Sequence, residues 1–236
     1  MALIPVNRAT LGDKKLKPVT SFAFAAKTPL CEIVAAEFYS AATGVPILFS
    51  GQGDMLVPVA LMSLNGVDNL FVESNGAWSG VYLPAVLNRF PFVAQNNADG
   101  TPGLFIDDSC GLLSDDQGVP LFGSDEASDQ ASPVGRALQN VLSLDSQTRP
   151  TRDLVAKIAA TGILQSVSLS PNASPEDKPV AGLQAVNQAL FDALPDATIL
   201  DLRRSGALPL IYAHLISLGQ LAPMKARHDI RQAAAG

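Results

Sequence analysis

Cysteine and histidine are almost absent from this chain: Cys31 and Cys110, His214 and His228, in 236 residues. The two cysteines lie far apart and form no C-x-x-C pair. That argues against a redox motif or a structural zinc site and makes a reducing compartment with two free buried thiols the expectation. A two-histidine, one-carboxylate iron centre would consume both histidines, and Pro223 breaks or kinks the helix between them. Phosphate-binding loops are missing too. Gly51-x-Gly53 lacks the third glycine of a dinucleotide fingerprint, with Leu56 in its place, and a strand pattern follows where a helix should. No G-x-S-x-G elbow is present, because Gly76-Ala-Trp-Ser-Gly80 sets its serine one place late.

Basic residues are also scarce. The net charge is −6 and the pI near 4.8, which argues against nucleic acid or an anionic membrane as the main partner, since no basic stripe exists to release counterions. The Lys14-Lys15-Lys17 cluster is too small to change that. The first residues, Met-Ala-Leu-Ile-Pro-Val-Asn-Arg, lack the basic start and apolar run of a secretory signal. No apolar window is expected to reach the roughly 18 residues that span a bilayer. Cytoplasmic location, no membrane insertion and no bound metal or nucleotide cofactor are therefore the expectations.

What is present reads as α+β, with a mainly antiparallel sheet from the first half and helices concentrated in the second. Residues 1–20 form a polar N-terminal arm, and 21–236 one domain, strand-rich over 21–123 and helix-rich over 124–236. Ser21 to Ala26 alternates at a period of two and predicts a strand with Phe22 and Phe24 on one face. Val34 to Ala42 predicts a short helix closed by Gly44. Val45–Phe49 and Met55–Met62 form a hairpin across Ser-Gly-Gln-Gly-Asp. Asn69–Glu73 reads as a strand, and Gly103–Gly111 as a strand running into a loop. Ser128–Ser143 and a second stretch from about Pro150 to Gly162 predict two helices, with Thr148 or Thr151 as caps. Strands follow at Ile163–Leu169 and Val180–Val186, separated by a proline-rich loop, Ser170–Pro179, whose Asn172-Ala-Ser174 would be a glycosylation sequon only in a secretory pathway. Leu208, Ile211, Leu215 and Leu218 stripe the last long helix, with His214 and Ser217 toward another side. Asp107, Asp108, Asp115 and Asp116 lack the spacing of a calcium loop and read as a solvated acidic loop.

The chain reads as organised around Asn75–Phe92, which holds its single Trp, one of three Tyr and two of ten Phe. Asn75-Gly76 is a turn signal. Gly80 and Pro84 oppose a long helix, leaving turns and short extended pieces. Two readings stand open. Trp78 and Tyr82 form an aromatic core beneath an irregular segment, with Arg89 exposed or stacked on a ring. Or they wall a pocket in which Arg89 meets an anion, with Asp107 and His214 as further lining.

Val180-Ala-Gly-Leu-Gln-Ala-Val, Leu190–Leu194 and Leu202-Arg-Arg-Ser-Gly-Ala-Leu-Pro-Leu-Ile-Tyr-Ala-His-Leu-Ile-Ser-Leu-Gly-Gln-Leu221 resemble the carboxy-terminal signature of the bacterial SapC family. Trp78, Tyr82-Leu-Pro84, Arg89-Phe-Pro-Phe92, Ile106-Asp107 and Gly118–Phe122 resemble its other blocks. The chain departs from the pattern at its single Arg89, where many relatives carry an arginine pair, and at Gln184, where an aromatic is common. The resemblance implies a soluble accessory or binding protein, not a permease, of a surface-layer or TonB-dependent uptake locus. It also implies protein partners encoded nearby: halogenase-like or oxygenase-like proteins and TonB-dependent receptors. It supplies no catalytic residues. The alternative is an enzyme acting on a peptide, amino acid or sugar through Asp107, Arg89, Tyr82 and His214.

Overall fold

In the computed structural model, which describes residues 3–97, 100–170 and 180–235, short strands and turns come first and long helices last. The order is β1 (Leu3–Pro5), α1 (Arg8–Leu11), β2 (Lys15–Leu16), β3 (Leu30–Glu32), α2 (Phe38–Ala42), β4 (Ile47–Ser50), β5 (Val57–Leu61), α3 (Ala85–Asn88), β6 (Phe92–Asn96) and β7 (Pro102–Asp107). Then come β8 (Leu113–Ser114), β9 (Val119–Pro120), α4 (Glu126–Asp129), α5 (Pro133–Ala160), β10 (Leu164–Leu169), β11 (Val180–Val186), α6 (Gln188–Asp192), α7 (Asp196–Ser205), α8 (Ala207–Ser217) and α9 (Leu221–Ala235). The fold is α+β, with antiparallel sheets mostly in the first half and helices in the second. The chain divides into two compact units, residues 1–20 with 85–146 and residues 21–84 with 147–236.

The first unit holds two three-stranded antiparallel sheets, ordered β1-β7-β6 and β8-β2-β9. Residues 3–16 are not the expected arm. Ile4 pairs with Ile106, and Lys15 and Leu16 pair with both β8 and β9. Leu11 is buried in a cluster with Phe92, Ile106, Leu121 and Ala137, against which Ile4, Val6 and Leu16 pack. These apolar side chains are too widely spaced to show a period, so the stretch reads as polar although its burial anchors it. Arg8 adds a charged tie: its guanidinium donates to both carboxylate oxygens of Asp129 at 2.6 Å and to the Gly123 carbonyl at 3.0 Å, and it lies 5.0 Å over the Phe122 ring.

The second unit is built on a five-stranded antiparallel sheet, β10-β11-β4-β5-β3. The predicted hairpin is β4–β5, with Ile47 opposite Ala60 and Ser50 opposite Val57. Ile47, Leu48 and Phe49 are all at most 1% exposed. A strand covered on both faces reads as a continuous apolar run, not an alternation.

An imidazole interrupts the ladder between β4 and β11. Leu183 faces Ser50 and Gln184 faces Phe49, a register that brings Val186 opposite Ile47. Val186 N–H instead donates to His214 Nε2 at 3.0 Å, and His214 Nδ1 bonds the Ile47 carbonyl at 2.7 Å. Because Nε2 accepts, the proton sits on Nδ1, and the ring is a neutral spacer set into one strand-to-strand bond. Ser217 completes the set: its hydroxyl accepts from Ile47 N–H at 2.8 Å and donates to the His214 carbonyl at 2.6 Å. Backbone groups left by the splayed strands are thus satisfied by α8. The buried residues of α8 are Ala207, Leu210, Ile211, Ala213, His214 and Ser217. The expected stripe was displaced because the two polar residues belong to the buried side, while Leu208, Leu215 and Leu218 are only half-buried.

Several other expectations are corrected. Residues 133–160 form one helix with Pro150 inside it. It begins in the first unit and ends in the second, and the division falls after Ser146, the residue whose carbonyl Pro150 cannot engage. Thr151 does not cap a helix; buried, it accepts from Ala35 N–H at 2.9 Å. Ala23–Ala25 is a 3-10 turn, not a strand, and Ser21 Oγ accepts from Ala23 N–H as the chain enters it. Asn69–Glu73 reduces to one bridge, Val72 to Trp78. There the buried Asn69 side chain takes Phe71 N–H and gives to the Ala25 carbonyl, and Arg231 of α9 donates to the carbonyls of Asn69, Leu70 and Val72. Side chains thus fill the places a neighbouring strand would have taken. The Asn75-Gly76 turn is present, with Gly76 at φ 82°. The run Ala207–Ala234 is long and apolar enough to cross a bilayer by length and composition, against the expectation that no such stretch exists, and 39% of its most apolar window is buried. Residues 171–179, with the sequon, lie outside the described residues.

Burial lowers the His214 pKa to about 4, the Ile47 carbonyl opposing this in part. In the unfolded chain the ring takes its proton near 6.5, so stability is whole above that pH and is lost as pH falls toward 4, by roughly 3 kcal/mol in all. Urea unfolding of the parent and of His214→Gln should show a gap in favour of the parent at pH 7 that narrows steadily toward pH 4. A gap independent of pH would contradict the buried neutral imidazole.

Candidate functional site

The five residues singled out in the sequence divide between the units. Trp78, Tyr82 and His214 belong to the second, Arg89 and Asp107 to the first. Trp78 is half-buried; its ring lies 5.5 Å from that of Phe22 and 5.9 Å from that of Phe71, and Nε1–H donates to the Tyr82 carbonyl at 3.1 Å. Buried Tyr82 donates its hydroxyl to Glu37, whose other carboxylate oxygen accepts Val34 N–H. Burial, and then the Glu37 carboxylate, push the phenol well above its ordinary pKa. These are the contacts of a packed aromatic cluster whose polar atoms have internal partners. His214 has both ring nitrogens committed to backbone, leaving no lone pair for a metal or a substrate proton. The buried Cys31 thiol is pushed up to about 12 by burial and by Glu37, which suits an inert thiol.

In the first unit Asp107 ends β7 and turns inward on its own loop, its Oδ1 accepting from Ser109 N–H at 3.1 Å and Ser109 Oγ–H at 2.6 Å. Arg89 follows α3, in a tight turn where Phe90 N–H bonds the Leu87 carbonyl and Phe92 N–H bonds the Arg89 carbonyl. That turn sends Phe92 into the core and directs Arg89 into a pocket of about 560 Å³. The walls are Leu16–Val19 after β2, Asn88, Phe90 and Phe92 from the turn, Gly118 and Val119 at β9, and Pro133, Arg136, Ala137 and Asn140 along α5. The α5 residues recur at helical spacing and so share one face. Gly118 has φ +105°, and a Cβ there would lie 2.3 Å from the Leu16 carbonyl oxygen, so the close approach of β9 to β2 at this wall requires glycine.

Charge sets this pocket apart. Its lining carries Lys17, Arg89 and Arg136 and no carboxylate, in a chain of net charge −6. Among the described residues none of the three cationic heads has an ion pair or side-chain hydrogen bond, whereas Arg8, Lys14 and Lys27 are each paired with an aspartate. Arg89 is half-buried, and burial alone lowers its pKa. The guanidinium stays charged, so it carries a desolvation cost that no protein anion offsets. The pocket of about 600 Å³ beside α9 holds both charge signs, with its Arg231 already bonded to three carbonyls. The one of about 730 Å³ at the β4 and β11 ends has no charged lining residue.

Sequence reasoning found Arg89 but missed Lys17 and Arg136. Lys17 was set aside within a small basic cluster, and Arg136 was one cation on a helix. Pro133, Arg136, Ala137 and Asn140 at i, i+3, i+4 and i+7 were the available signal, but nothing local shows what that face meets.

Residues 6–224 match the sequence profile of the SapC family. The chain belongs to the SapC family. Comparison of this SapC-family chain with curated proteins and with solved structures returned no match. The match covers every residue of the Arg89 pocket and both aromatic blocks around Trp78 and Phe92.

The two arginine and tryptophan positions should respond differently in thermal or denaturant melts. Trp78→Ala removes a ring packed between two others and should cost about 2 to 3 kcal/mol. Arg89→Ala removes an unpaired, half-buried cation and should cost about 1 kcal/mol or less. A Trp78→Ala melt equal to that of the parent would refute the packed cluster.

Proposed function

We propose that this SapC-family chain is a binding protein that takes an anionic small molecule in the Arg89 pocket, as an accessory of a bacterial surface-layer or TonB-dependent uptake locus. In this reading it works in the cytoplasm beside partner proteins encoded nearby, without nucleic acid. The observation that carries the reading is the lining itself: three cations without a partner among the described residues, apolar walls and no carboxylate. A concave, mostly apolar pocket with a few convergent polar groups is the ordinary form of a small-molecule site. Arg89 supplies a planar fork suited to a carboxylate or phosphate.

The competing reading, an enzyme acting on a peptide, amino acid or sugar, finds less support. Apart from the Lys17 amine, the pocket lining offers no carboxylate, imidazole, thiol or hydroxyl for proton transfer or nucleophilic attack. Among the sequence candidates with acid–base chemistry, His214 and Tyr82 have their polar atoms committed within the second unit, and Asp107, which does not line the pocket, takes two bonds from Ser109 on its own loop.

Calorimetric titration at low salt with phosphate, citrate and octanoate, and with octanol as the uncharged control, tests the proposal. At least one anion should bind once per chain, more tightly than octanol, and weaken as salt rises. Arg89→Ala should weaken it by about ten- to a hundredfold, as loss of a charge-assisted bond implies. Equal binding by octanol, or no effect of Arg89→Ala, would contradict it.

A further inference from the structure

The geometry points to a ligand class for the same pocket: an amphiphilic monocarboxylate, its carboxylate on Arg89 and its apolar body against the hydrophobic wall. This rests on the anion-binding reading above and narrows it through three observations.

The first concerns donors. A phosphate group needs several, and the backbone amides at the start of a long helix commonly provide them. At α5 they are taken: Val134 N–H bonds the Leu121 carbonyl at 3.3 Å, Arg136 N–H the Ser132 carbonyl at 3.0 Å, and Gly135 N–H the Ser132 hydroxyl at 3.1 Å. Residue 133 is proline and has no N–H. No amide cradle is left at the start of α5, so that helix offers the anion side chains, for which a two-oxygen carboxylate on one guanidinium fork is the matching shape.

The second concerns depth. Arg89 and Lys17 are half-buried and Arg136 is exposed. Two cations, Arg89 and Lys17, are therefore set into the pocket wall, and Arg136 stands at the solvent side, where it raises the local concentration of anions and speeds their capture. Of the two in the wall, Arg89 alone presents a planar fork that matches the two oxygens of a carboxylate, whereas Lys17 is a point charge.

The third concerns the body of the ligand. Leu16, Phe92 and Ala137 belong to or pack on the hydrophobic core of the first unit and also line the pocket, so its floor is continuous with the core. Val19 and Val119 extend that surface outward, at 37% and 53% exposure. An apolar chain or ring entering there is removed from water on a surface already dry beneath, which a compact polar anion cannot exploit.

The test is a length series of simple probes, butanoate, hexanoate and octanoate, beside phosphate, citrate and the methyl ester of octanoate, titrated into the full chain. The expected result is a gain of about fourfold per added methylene, the value of burying one CH₂, with the ester and phosphate far weaker than octanoate. Arg89→Gln, shown by its melt to be folded, should lose most of the carboxylate affinity and reduce the difference between octanoate and its ester. Flat affinity along the series, with phosphate or citrate binding better and still depending on Arg89, overturns the amphiphilic class and leaves the anion pocket standing. Octanoate and its ester binding alike, unaffected by Arg89→Gln, overturns both. The length series needs only the parent protein, so it decides even if the variant does not fold.

Discussion

In the second unit, two strands that should pair directly are held apart by a side chain, and the surrounding elements are arranged to accommodate it. The register of β4 against β11 brings Ile47 opposite Val186, yet the bond between them runs through the imidazole of His214. An imidazole that accepts at one nitrogen and donates at the other can stand in for the direct contact of N–H with carbonyl, provided it stays neutral. Burial keeps it so. Ser217, one turn further along α8, satisfies the remaining N–H of Ile47, so a single helix supplies both polar groups that the splayed strands need. α8 must then present a polar pair from within an apolar face. This explains why an apolar helical run carries a fully buried histidine.

Both units spend cations on their own structure. In the second, Arg227 and Arg231 of α9 are spent on backbone carbonyls and on Ser79, and Arg227 also lies over Phe71. These forks fasten α9 to the irregular segment around Asn69–Ser79, which lacks strand partners of its own. In the first unit Arg8 is likewise spent, on Asp129 and Gly123, and its guanidinium holds the Asp129 carboxyl below its usual range. Lys17, Arg89 and Arg136 have no side-chain partner among the described residues. In this acidic chain they stand around one apolar pocket whose lining holds no carboxylate.

How much of this was legible followed from how local its cause is. The β4–β5 hairpin, the strand at Val180–Val186 and the Asn75-Gly76 turn are set by short patterns and were read correctly. α5 was not, because Pro150 is a breaker by local rule, and only packing such as that of Thr151 against Ala35 carries the helix past it. The face of α8 was misplaced because a buried histidine and serine count as polar until their backbone partners, some 170 residues away in sequence, are known. The pocket was half-legible. Arg89 stood out beside Phe90 and Phe92, but Trp78 and Tyr82, close in sequence, belong to the other unit, and the real companions of Arg89 come from β2, β9 and α5. Membership of the SapC family places this chain among relatives, while the chemistry of the pocket comes from side chains brought together only by folding.

The central claim is that the Arg89 guanidinium lies open to an anion. The most direct measurement is the side-chain Nε–H resonance of Arg89, assigned by substitution in nitrogen-15-labelled protein and followed while octanoate is added, with Arg8 as internal reference. The account predicts that the Arg89 signal moves and saturates with one equivalent bound, while the Arg8 signal, fixed by Asp129, stays in place. An Arg89 signal that does not move, while octanoate shifts resonances of the second unit instead, would contradict it.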